Sequence, residues 1–542
     1  MSKKENNNTL VKNATFLMVA ALISKIIGML YKSPLTTLIG RESFACFQFA
    51  QNAYFILLMI ASFSIPQAVS KIMSERIAFK RYRDAQRVFK GALLYAVIAG
   101  GIAALICIFG ASILVPDNMA NARLALQMLA PTIFVSGILG VFRGYFQAYR
   151  NMLPTSISQI LEQIAVATVA LLASGFMVSH FANAGEDTLQ RWSAAGATMG
   201  TGAGVCTAFL FMLFVYKVNH KTIAKKIKND RVSVDESYRS IMKIILLIAA
   251  PIILSAFIYN VNGYINGVMY TSILGWRGVS NSLVKQNYAE YGFFMTLINI
   301  PLTLASTAPT SMMPEVSAQY AIGDLEETKR KIDQATWIAM LISIPASVGL
   351  AVLAQPVTRL IFPSTEGVAG QLMMIGVITV ILNSTSNISN GVLQAIGKAN
   401  IPMINAAIAL GVDVVFLALM LVFTNMGIYA VVLAMVVYAL VMCVLNDRAL
   451  KKYLGYKNPW KSAYFVPILA SIPMGIVAVI VYKLVYAVIG SNFISLIPAI
   501  VFAMIVYFVG YLAVAKPKKE DLAALPGGTR LAQVAQKLKI LK

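Results

Sequence analysis

Fourteen apolar runs, each about long enough to cross a lipid bilayer as a helix, constrain this chain more than any other feature of its sequence. A membrane span must bond every backbone N–H and C=O internally, so apolar runs of this length form helices. The sequence therefore predicts an all-α integral membrane protein with about 14 transmembrane helices. The predicted segments, numbered 1 to 14, are 14–39, 44–70, 90–115, 123–147, 155–181, 193–216, 241–272, 288–314, 334–362, 368–395, 402–424, 427–446, 462–489 and 493–515.

The composition excludes several classes of protein. Of the 542 residues, 58% are hydrophobic and 12% are charged, whereas a soluble globular protein is about 25% charged. A water-soluble enzyme, a disordered chain and a coiled coil are therefore excluded. In a soluble protein the net charge of +23 would favour a nucleic-acid partner, but in a membrane protein it indicates basic cytoplasmic loops. No nucleic-acid partner is expected.

Basic residues are distributed unevenly between alternate loops. If both termini are cytoplasmic, the inner loops and tails hold 36 of the 45 Lys and Arg residues, and the outer loops hold six. An excess of this kind is typical of the cytoplasmic side of a membrane protein. A missed or invented crossing would reverse every later loop, so the bias supports the segment count and predicts that both termini are cytoplasmic.

The chain repeats itself at an offset of 247 residues. The residues after segment 4 recur after segment 10: Gly144, Gln147 and Ala148 correspond to Gly391, Gln394 and Ala395. An offset of six crossings preserves orientation, so the repeat is parallel, with its axis along the membrane normal. Segments 1–6 and 7–12 are therefore predicted to form two six-helix lobes related by a pseudo-twofold repeat.

The repeat and the charge distribution predict five parts of the chain. An N-terminal six-helix lobe covers residues 1–216, a basic cytoplasmic linker 217–243, and a C-terminal six-helix lobe 244–450. Two additional transmembrane helices and a cytoplasmic amphipathic tail follow, in residues 451–515 and 516–542.

Two lobes around a quasi-twofold axis enclose a cleft, which is the architecture of an alternating-access transporter. The sequence holds no phosphate-binding loop, nucleophile elbow, metal motif or Ser/His/Asp set. We therefore expect no enzyme activity, no catalytic residues, no bound metal and no cofactor. Transport is expected to be coupled to sodium, protons or the membrane potential.

Two lysines mark the first segment. Lys25 lies about 11 residues into segment 1, and Lys32 follows on the same helical face. Together they predict a cationic stripe suited to an anionic headgroup such as pyrophosphate. The alternatives are a buried pair between Lys25 and a carboxylate, and snorkelling of Lys32 to the outer interface. Gly28 and Pro34 allow the helix to bend in this region.

Two acids lie clearly within predicted spans, Glu162 in segment 5 and Asp413 in segment 11. Glu162 is a candidate polar residue of the cleft, and the alternative is a structural pair with Arg143. Asp413, near the midplane, is a candidate for binding a coupling cation or proton, and the alternative is a pair with Lys25.

Segment 7 carries several polar side chains, of which Asn260 is a coupling-ion candidate and Asn262 a cleft candidate. Asn260, Asn262 and Asn266 do not share one helical face. They favour an unwound stretch that lines a cavity, and hydrogen bonding between helices is the alternative.

A basic loop follows segment 2. One interpretation is that the loop sets the orientation of the chain and contacts anionic lipid, and the other is that Lys71 meets a lipid phosphate that enters from the inner leaflet. Lys71 and Arg143, at the cytoplasmic ends of segments 2 and 4, join Lys25 and Lys32 as candidate substrate-binding residues. The loop contains Lys71, Arg76, Lys80, Arg81, Arg83 and Arg87.

Three motifs resemble those of the MurJ-like lipid II flippases of Gram-positive bacteria and the related SpoVB and polysaccharide-export proteins. The first begins at Ser24, a candidate polar residue of the cleft. The motifs are S-K-I-I-G-M-L-Y (24–31), I-P-Q-A-V-S-K (65–71) and R-G-Y-F-Q-A-Y-R-N-M-L-P-T-S-I-S-Q-I-L-E-Q (143–163). The resemblance extends over nearly the whole chain, including a D-L-x-x-L-P-G-G motif in the tail.

The resemblance implies a MATE-like fold in the bacterial cytoplasmic membrane and export of undecaprenyl-pyrophosphate-linked peptidoglycan precursor by alternating access. It implies that a cation at Lys25 binds the substrate, while Tyr31 stands where some members carry a second arginine. Some members bind sodium between spans 7, 11 and 12, and Asp413 lies in that region. The implied partners are a lipid-linked glycan, anionic membrane lipids and cell-wall synthesis proteins.

Three other functions remain open from the sequence. One is a flippase for another undecaprenyl-linked glycan, such as a capsule, teichoic or sporulation-related unit. Another is a cation-coupled multidrug exporter, which would need acidic residues in the cleft that segments 1 and 7 lack. The third is a scaffold for cell-wall synthases, which would not require charge within the membrane.

Overall fold

A computed structural model describes residues 19–63 and 65–515 of the chain. Within these ranges every regular element is helical, as predicted. The start of segment 1 and the predicted amphipathic tail, 516–542, lie outside the described residues.

Each predicted segment contains helix, but some helices extend beyond the predicted bounds. Those of segments 1 to 7 are α1 (19–30), α2 (Lys32–Ile39), α3 (Arg41–Leu58), α4 (Ile65–Ala78), α5 (Tyr82–Phe109), α6 (Ala111–Leu114), α7 (Ala122–Met128), α8 (Ala130–Ala148), α9 (Leu153–His180), α10 (Glu186–Lys228), α11 (Tyr238–Asn260) and α12 (Asn262–Trp276). Those of segments 8 to 14 are α13 (Asn281–Ala321), α14 (Leu325–Val352), α15 (Ala354–Ile361), α16 (Val368–Gly376), α17 (Ile378–Ala395), α18 (Asn400–Phe423), α19 (Ile428–Leu454), α20 (Val466–Ile489) and α21 (Asn492–Ala515). Short π-helical turns, Met59–Phe63 and Trp460–Phe465, precede α4 and α20. The helix α10 continues to Lys228, into the predicted linker, and α13 exceeds segment 8 at both ends.

Ten helices of the described ranges are long and apolar enough to cross a membrane, and an eleventh span is added if α16 and α17, bent by 45°, count as one. These correspond to segments 2–6 and 9–14. Segments 1, 7 and 8 are not among them, so the predicted count of 14 is not confirmed. The all-helical, multi-pass character of the fold is confirmed.

The chain divides into two compact units. Unit 1 comprises Met1–Gly292 and Leu417–Gly427, and unit 2 comprises Phe293–Phe416 and Ile428–Lys542. Segment 7 and the first part of α13 belong to unit 1, because α11 packs against α4 and α5. The predicted lobes, which follow the sequence repeat, divide the chain differently and stay a prediction.

The core of unit 1 is rich in aromatic rings. Phe89 of α5 lies 4.8 Å from the ring of Tyr145 and 5.4 Å from those of Phe142 and Tyr216. The contacts with Phe142 and Tyr145 are edge-on and the contact with Tyr216 is stacked, and ring contacts of both kinds add to the free energy gained by apolar burial. They hold segments 3, 4 and 6 together around one buried cluster.

Unit 2 has two apolar clusters. Met340 and Ile344 of α14 pack with Val392 and Leu393 of α17 in the first. The second packs α14 and the short α15 against the additional helices α20 and α21, and includes Leu353, Met474, Ala478 and Leu496.

The sequence repeat is visible in the packing within each unit. In unit 1, a Cβ added to Gly144 would lie 2.7 Å from the carbonyl oxygen of Pro66. In unit 2, a Cβ added to Gly391 would lie 2.9 Å from the sulfur of Met313. Both pairs are related by the 247-residue offset, so the glycines that identify the repeat stand at equivalent close approaches of two helices.

A second pair of contacts obeys the same offset. Gly137 approaches Ala96 between segments 4 and 3, where an added Cβ would lie 3.3 Å from the Ala96 carbonyl oxygen. The equivalent residues of unit 2, Ser384 and Ser343, are joined by a hydrogen bond of 2.9 Å. The repeat therefore preserves the helix contact while its chemistry changes.

Candidate functional site

Segment 1 is interrupted at Tyr31, in the region where Gly28 and Pro34 were expected to allow a bend. Pro34 lacks an N–H, so the carbonyl of Leu30 loses its usual helical donor, and α1 ends there. Tyr31 between the two helices keeps helical angles, with φ −71° and ψ −24°. The break therefore frees a backbone carbonyl without redirecting the chain sharply.

Lys25 lies on α1 with an exposed side chain. It makes no ion pair with any carboxylate in the part of the chain that the structure describes. Lys32, at the start of α2, is half-buried. The hydroxyl oxygen of the neighbouring Ser24 is buried without a hydrogen-bond partner. A charged group and an unbonded hydroxyl therefore stand next to each other on the first helix.

Segment 5 contributes residues that the sequence analysis missed. A Cβ added to Gly28 would lie 3.1 Å from Oε1 of Gln163, so the glycine lets this amide approach α1 closely. One turn earlier, the Oε1 of Gln159 is buried without a hydrogen-bond partner. The two glutamines share one face of α9 at i, i+4 spacing, a signal present in the sequence.

Arg143 and Glu162 are brought together. Nη2 of Arg143 lies 2.7 Å from Oε2 of Glu162, and its Nε donates to the hydroxyl of Ser158 at 3.1 Å. About a fifth of each side chain or less is exposed, 16% for Arg143 and 20% for Glu162. The geometry is that of the structural pair, one of the alternatives left open by the sequence.

Lys71 lies in the last turns of α4 and is exposed. Its carbonyl accepts a hydrogen bond of 2.9 Å from the hydroxyl of Ser74. Arginines that follow it in the basic loop are instead paired with carboxylates, as described below.

Segment 7 does not contain the unwound stretch that its asparagines favoured. Only Val261 separates α11 from α12, and its φ of −66° and ψ of −21° are helical. The amide of Asn260 donates to the carbonyl of Ala256 in its own helix at 2.8 Å. Asn262 is half-buried at the start of α12. The amide of Asn260 therefore finds its hydrogen-bond partner within its own helix, and the backbone there stays helical.

A buried polar contact joins segments 2, 7 and 8. The amide of Asn52 donates to the hydroxyl of Tyr288 at 3.0 Å, and the ring of Tyr270 stacks on that of Tyr288. This contact was not predicted from the sequence, since Asn52 and Tyr288 are 236 positions apart.

A second polar network lies within unit 1 on α3, α10 and α13, just before the predicted segments 2, 6 and 8. Nζ of the buried Lys285 donates to Oε1 of Gln190 at 2.7 Å, and Nε2 of Gln190 donates to Glu42 at 2.9 Å. The hydroxyl of Ser282 also donates to the Glu42 carboxylate. The network ties the start of α13 to α3 and α10.

Asp413 is completely buried on α18 in unit 2. Lys25 belongs to unit 1, so a pair between them stays a prediction. Its role as a coupling-ion ligand also stays a prediction, together with that of Asn260.

Unit 2 contains an amide network near the end of segment 10. Asn446 accepts a hydrogen bond of 2.8 Å from Asn405 and donates one of 2.8 Å to Asn390. At the 247-residue offset, Asn390 and Asn405 correspond to Arg143 and Ser158. The polar pair of unit 1 therefore has a neutral counterpart in unit 2.

A match over more than half of the chain decides its family. Residues 10–319 match the family described as "Polysaccharide biosynthesis protein". The chain belongs to this family. A second family, MatE, matches residues 279–419.

Two curated relatives of this chain come from Bacillus subtilis (strain 168). Stage V sporulation protein B is 24% identical over 457 residues, which is 82% of this chain and 84% of the relative. Lipid II flippase MurJ is 23% identical over 427 residues, which is 76% of this chain and 77% of the relative. The two relatives are similar to the chain to nearly the same degree.

Solved structures identify the fold. An inward-facing multidrug resistance MATE family transporter of the MOP superfamily matches with a TM-score of 0.63 and 16% identity, over 80% of this chain and 94% of its own. Lipid II flippase MurJ in an inward closed conformation matches with a TM-score of 0.60 and 14% identity, over 91% and 97%. The fold of this family member is MATE-like, as predicted, and the protein is a multi-pass membrane protein.

Proposed function

We propose that this protein is a flippase that moves an undecaprenyl-pyrophosphate-linked glycan across the bacterial cytoplasmic membrane by alternating access, with lipid II as the substrate. The proposal includes both termini in the cytoplasm, the orientation that the basic loops predict. The similarity to Lipid II flippase MurJ supports this substrate class.

The observation that carries the proposal is the state of Lys25. A lysine at the centre of a span costs at least about 2.5–3.5 kcal/mol on insertion scales. Lys25 is exposed on α1 and has no carboxylate partner among the described residues. A diphosphate headgroup would supply the missing negative charge, and an ammonium group is a frequent phosphate ligand.

The electrostatics favour an anionic over a cationic substrate. Glu162 lies next to Gln163, the residue of α9 that approaches α1, and it is already bound by Arg143 at 2.7 Å. A drug exporter for organic cations would need an available carboxylate, and this one is neutralised. Lys32 and Lys71 are proposed to extend the cationic path beyond Lys25, and anionic lipids and cell-wall synthesis proteins are proposed as partners.

A second candidate is a flippase for another lipid-linked glycan, such as a capsule, teichoic or sporulation-related unit. It is supported by the similarity to Stage V sporulation protein B, which is 24% identical to the chain, against 23% for Lipid II flippase MurJ. The headgroup site would be the same, because all of these lipids carry an anionic phosphate or diphosphate.

The test is depletion of a bacterium's own lipid II flippase with this chain supplied from a plasmid. Rescue of growth by the wild type and by Lys25→Arg, but not by Lys25→Ala, supports lipid II transport through a cationic site. The exposed loop lysine Lys80 offers a matched control, and Lys80→Ala should rescue fully. Membrane insertion of each variant is checked by immunoblotting.

Two outcomes contradict the proposal in different ways. Full rescue by Lys25→Ala removes Lys25 from the site. No rescue by the inserted wild type rejects lipid II, and a vesicle assay with an undecaprenyl-linked capsule or teichoic precursor then tests the second candidate.

A further inference from the structure

The segment between α10 and α11 is held on the N-terminal unit by carboxylates. We call residues 229–237 the strap. They lie beside the turn after α4 and the first turn of α5, which carry the arginines of the basic loop. These arginines were expected to set the orientation of the chain and contact lipid, yet three of them form ion pairs with the strap at 3.2 Å or less.

The first point of attachment is Asp84, whose side chain is completely buried. Its two oxygens accept hydrogen bonds of 3.0 Å from the backbone N–H groups of Val234 and Glu236. It also accepts one of 2.9 Å from Nε of Arg81. A buried carboxylate with three donors is fully paired, and hydrogen bonds to charged groups are stronger than neutral ones.

The second point of attachment is Asp230 in the strap itself. It accepts a hydrogen bond of 2.7 Å from the backbone N–H of Arg83, across the interface. Within the strap it accepts from the backbone N–H of Val232 at 2.8 Å and from the hydroxyl of Ser233 at 2.6 Å. These bonds fix the fold of the strap and its position at the same time.

The third point of attachment is Glu236, which is held by two guanidinium groups. Nη2 of Arg76 lies 3.0 Å from one oxygen and Nη2 of Arg81 lies 2.7 Å from the other. The side chains of Arg76 and Glu236 are only 11% and 17% exposed, so solvent weakens this attraction less than at an open surface.

The outer edge of the strap is different. Asp235 lies 3.2 Å from Arg87 and 3.8 Å from Arg83, and all three side chains are a third exposed or more. Exposed ion pairs of this kind contribute little to stability. The strap is therefore held from beneath, by its buried carboxylates, and its outer edge is open to modification.

The strap leads directly into the inner half of segment 7. The hydroxyl of Ser237 caps α11 by accepting from the N–H of Ser240 at 3.2 Å. Ile241 and Ile245 of α11 then enter the same apolar core as Val88 of α5. Gly91 makes this packing close, since an added Cβ would lie 3.1 Å from Ile241.

We propose that the strap is an anchor that stays closed during transport, so that the inner half of segment 7 moves with segments 2 and 3. The carboxylates of Asp84, Asp230 and Glu236 are its positioning residues. Any hinge between the predicted lobes must then lie after the strap in the chain. The predicted linker is basic overall, but it is held in place at the strap, where its acidic residues lie.

Hydrogen exchange tests the anchor without reference to any substrate. In the wild-type chain the amides of Val234 and Glu236 should exchange slowly, because they donate to a buried carboxylate. Asp84→Asn should speed their exchange about 10- to 100-fold, the loss expected for hydrogen bonds to a charged group. Glu236→Gln, at a partly exposed position, serves if Asp84→Asn does not fold, and Asp235→Asn is the control that should change little. Rapid exchange of the wild-type strap overturns the proposal.

Cross-linking tests whether the anchor opens, and this arm rests on the proposed function. Arg87→Cys and Asp235→Cys are combined in a chain whose native cysteines are replaced, and joined with a short bismaleimide. Lipid II transport in vesicles should stay within about twofold of the unlinked protein. Each single-cysteine variant treated with the same reagent is the control.

The outcomes are distinguishable. A loss of transport of tenfold or more on cross-linking, with active controls, overturns the anchor. Absence of transport by the unlinked protein rejects lipid II as the substrate instead, and the exchange measurement still decides whether the strap is held.

Discussion

Equivalent places in the two repeats carry different polar chemistry. In unit 1, Arg143 binds Ser158 and Glu162, with a charge on each side of the contact. In unit 2, the equivalents of Arg143 and Ser158 are Asn390 and Asn405, and both bond to Asn446. The helix arrangement is repeated, and the charge is not.

The difference shows which part of a repeat is constrained by packing. The glycines of the repeat, Gly144 and Gly391, stand where two helices approach closely, and only a small residue fits there. The polar residues nearby satisfy hydrogen bonds, which either an ion pair or an amide chain can do. Chemistry is therefore free to diverge around a fixed contact.

The largest expected effect is a difference in stability between alanine variants of Gly144 and Gly391. Gly144→Ala places a Cβ 2.7 Å from a backbone oxygen, which cannot move without displacing its helix. We expect a loss of about 3 kcal/mol in the free energy of unfolding, and about 1 kcal/mol for Gly391→Ala, whose neighbour is a flexible methionine side chain. Thermal unfolding in detergent, followed by tryptophan fluorescence, measures both. Equal losses would show that the two contacts are equally rigid.

An intermediate effect is expected from breaking the two polar sets. Glu162→Gln leaves Arg143 charged and unpaired at a half-buried site, and we expect a loss of about 2 kcal/mol. Asn446→Leu leaves two neutral amides without partners, with a loss of about 1–2 kcal/mol. Raising the salt concentration should reduce the first loss and leave the second unchanged, because only the first involves a net charge. The same salt dependence in both variants would argue against this distinction.

The smallest expected effect is a local loss of stability of the strap in acid. The strap follows the last helix of the first repeat, and it is compared with the segment that follows the last helix of the second repeat. Burial raises the pKa of Asp230, but hydrogen bonds from Ser233 and from backbone N–H groups outweigh it, and the pKa lies well below its usual range. The ionised form therefore stabilises the strap above the usual Asp pKa of about 3.9, and this contribution is lost as pH falls through the folded-state value.

Hydrogen exchange below pH 4, corrected for intrinsic rates, measures this loss at Val232 and Ser233. The segment 455–459 of unit 2 is the internal comparison, since its Tyr456 hydroxyl donates to Asp333 at 2.8 Å and no strap carboxylate is involved. Asp230→Asn should remove the acid dependence of the strap. If the dependence persists in that variant, another group is responsible.

The sequence predicted much of the fold because its main determinant is local. Apolar runs report helices directly, and Pro34 alone accounts for the end of α1. The pair of Arg143 with Glu162 was one of two alternatives, because residues 19 positions apart on neighbouring spans are within reach. The prediction of an unwound stretch at Asn260 was wrong. The side-chain amide of Asn260 donates a hydrogen bond to a carbonyl of its own helix.

The candidate site was predicted less completely. Lys25 was recognised by its charge in an apolar run, and its role stays a prediction. Gln159 and Gln163 were missed because the role of a glutamine on a membrane helix cannot be predicted until the helix packed against it is known. The strap was missed for the same reason, since Arg76 and Glu236 are 160 residues apart.

The sequence by itself determined that the chain is a helical membrane protein with an internal repeat, because hydropathy and repeat spacing are properties of the chain alone. Only the tertiary structure decided which polar groups are neutralised. Glu162 and the strap carboxylates meet arginines, whereas Lys25 has no carboxylate partner in the described ranges. The cost of burying a charge depends on what lies across the helix contact, and that is fixed when the helices pack.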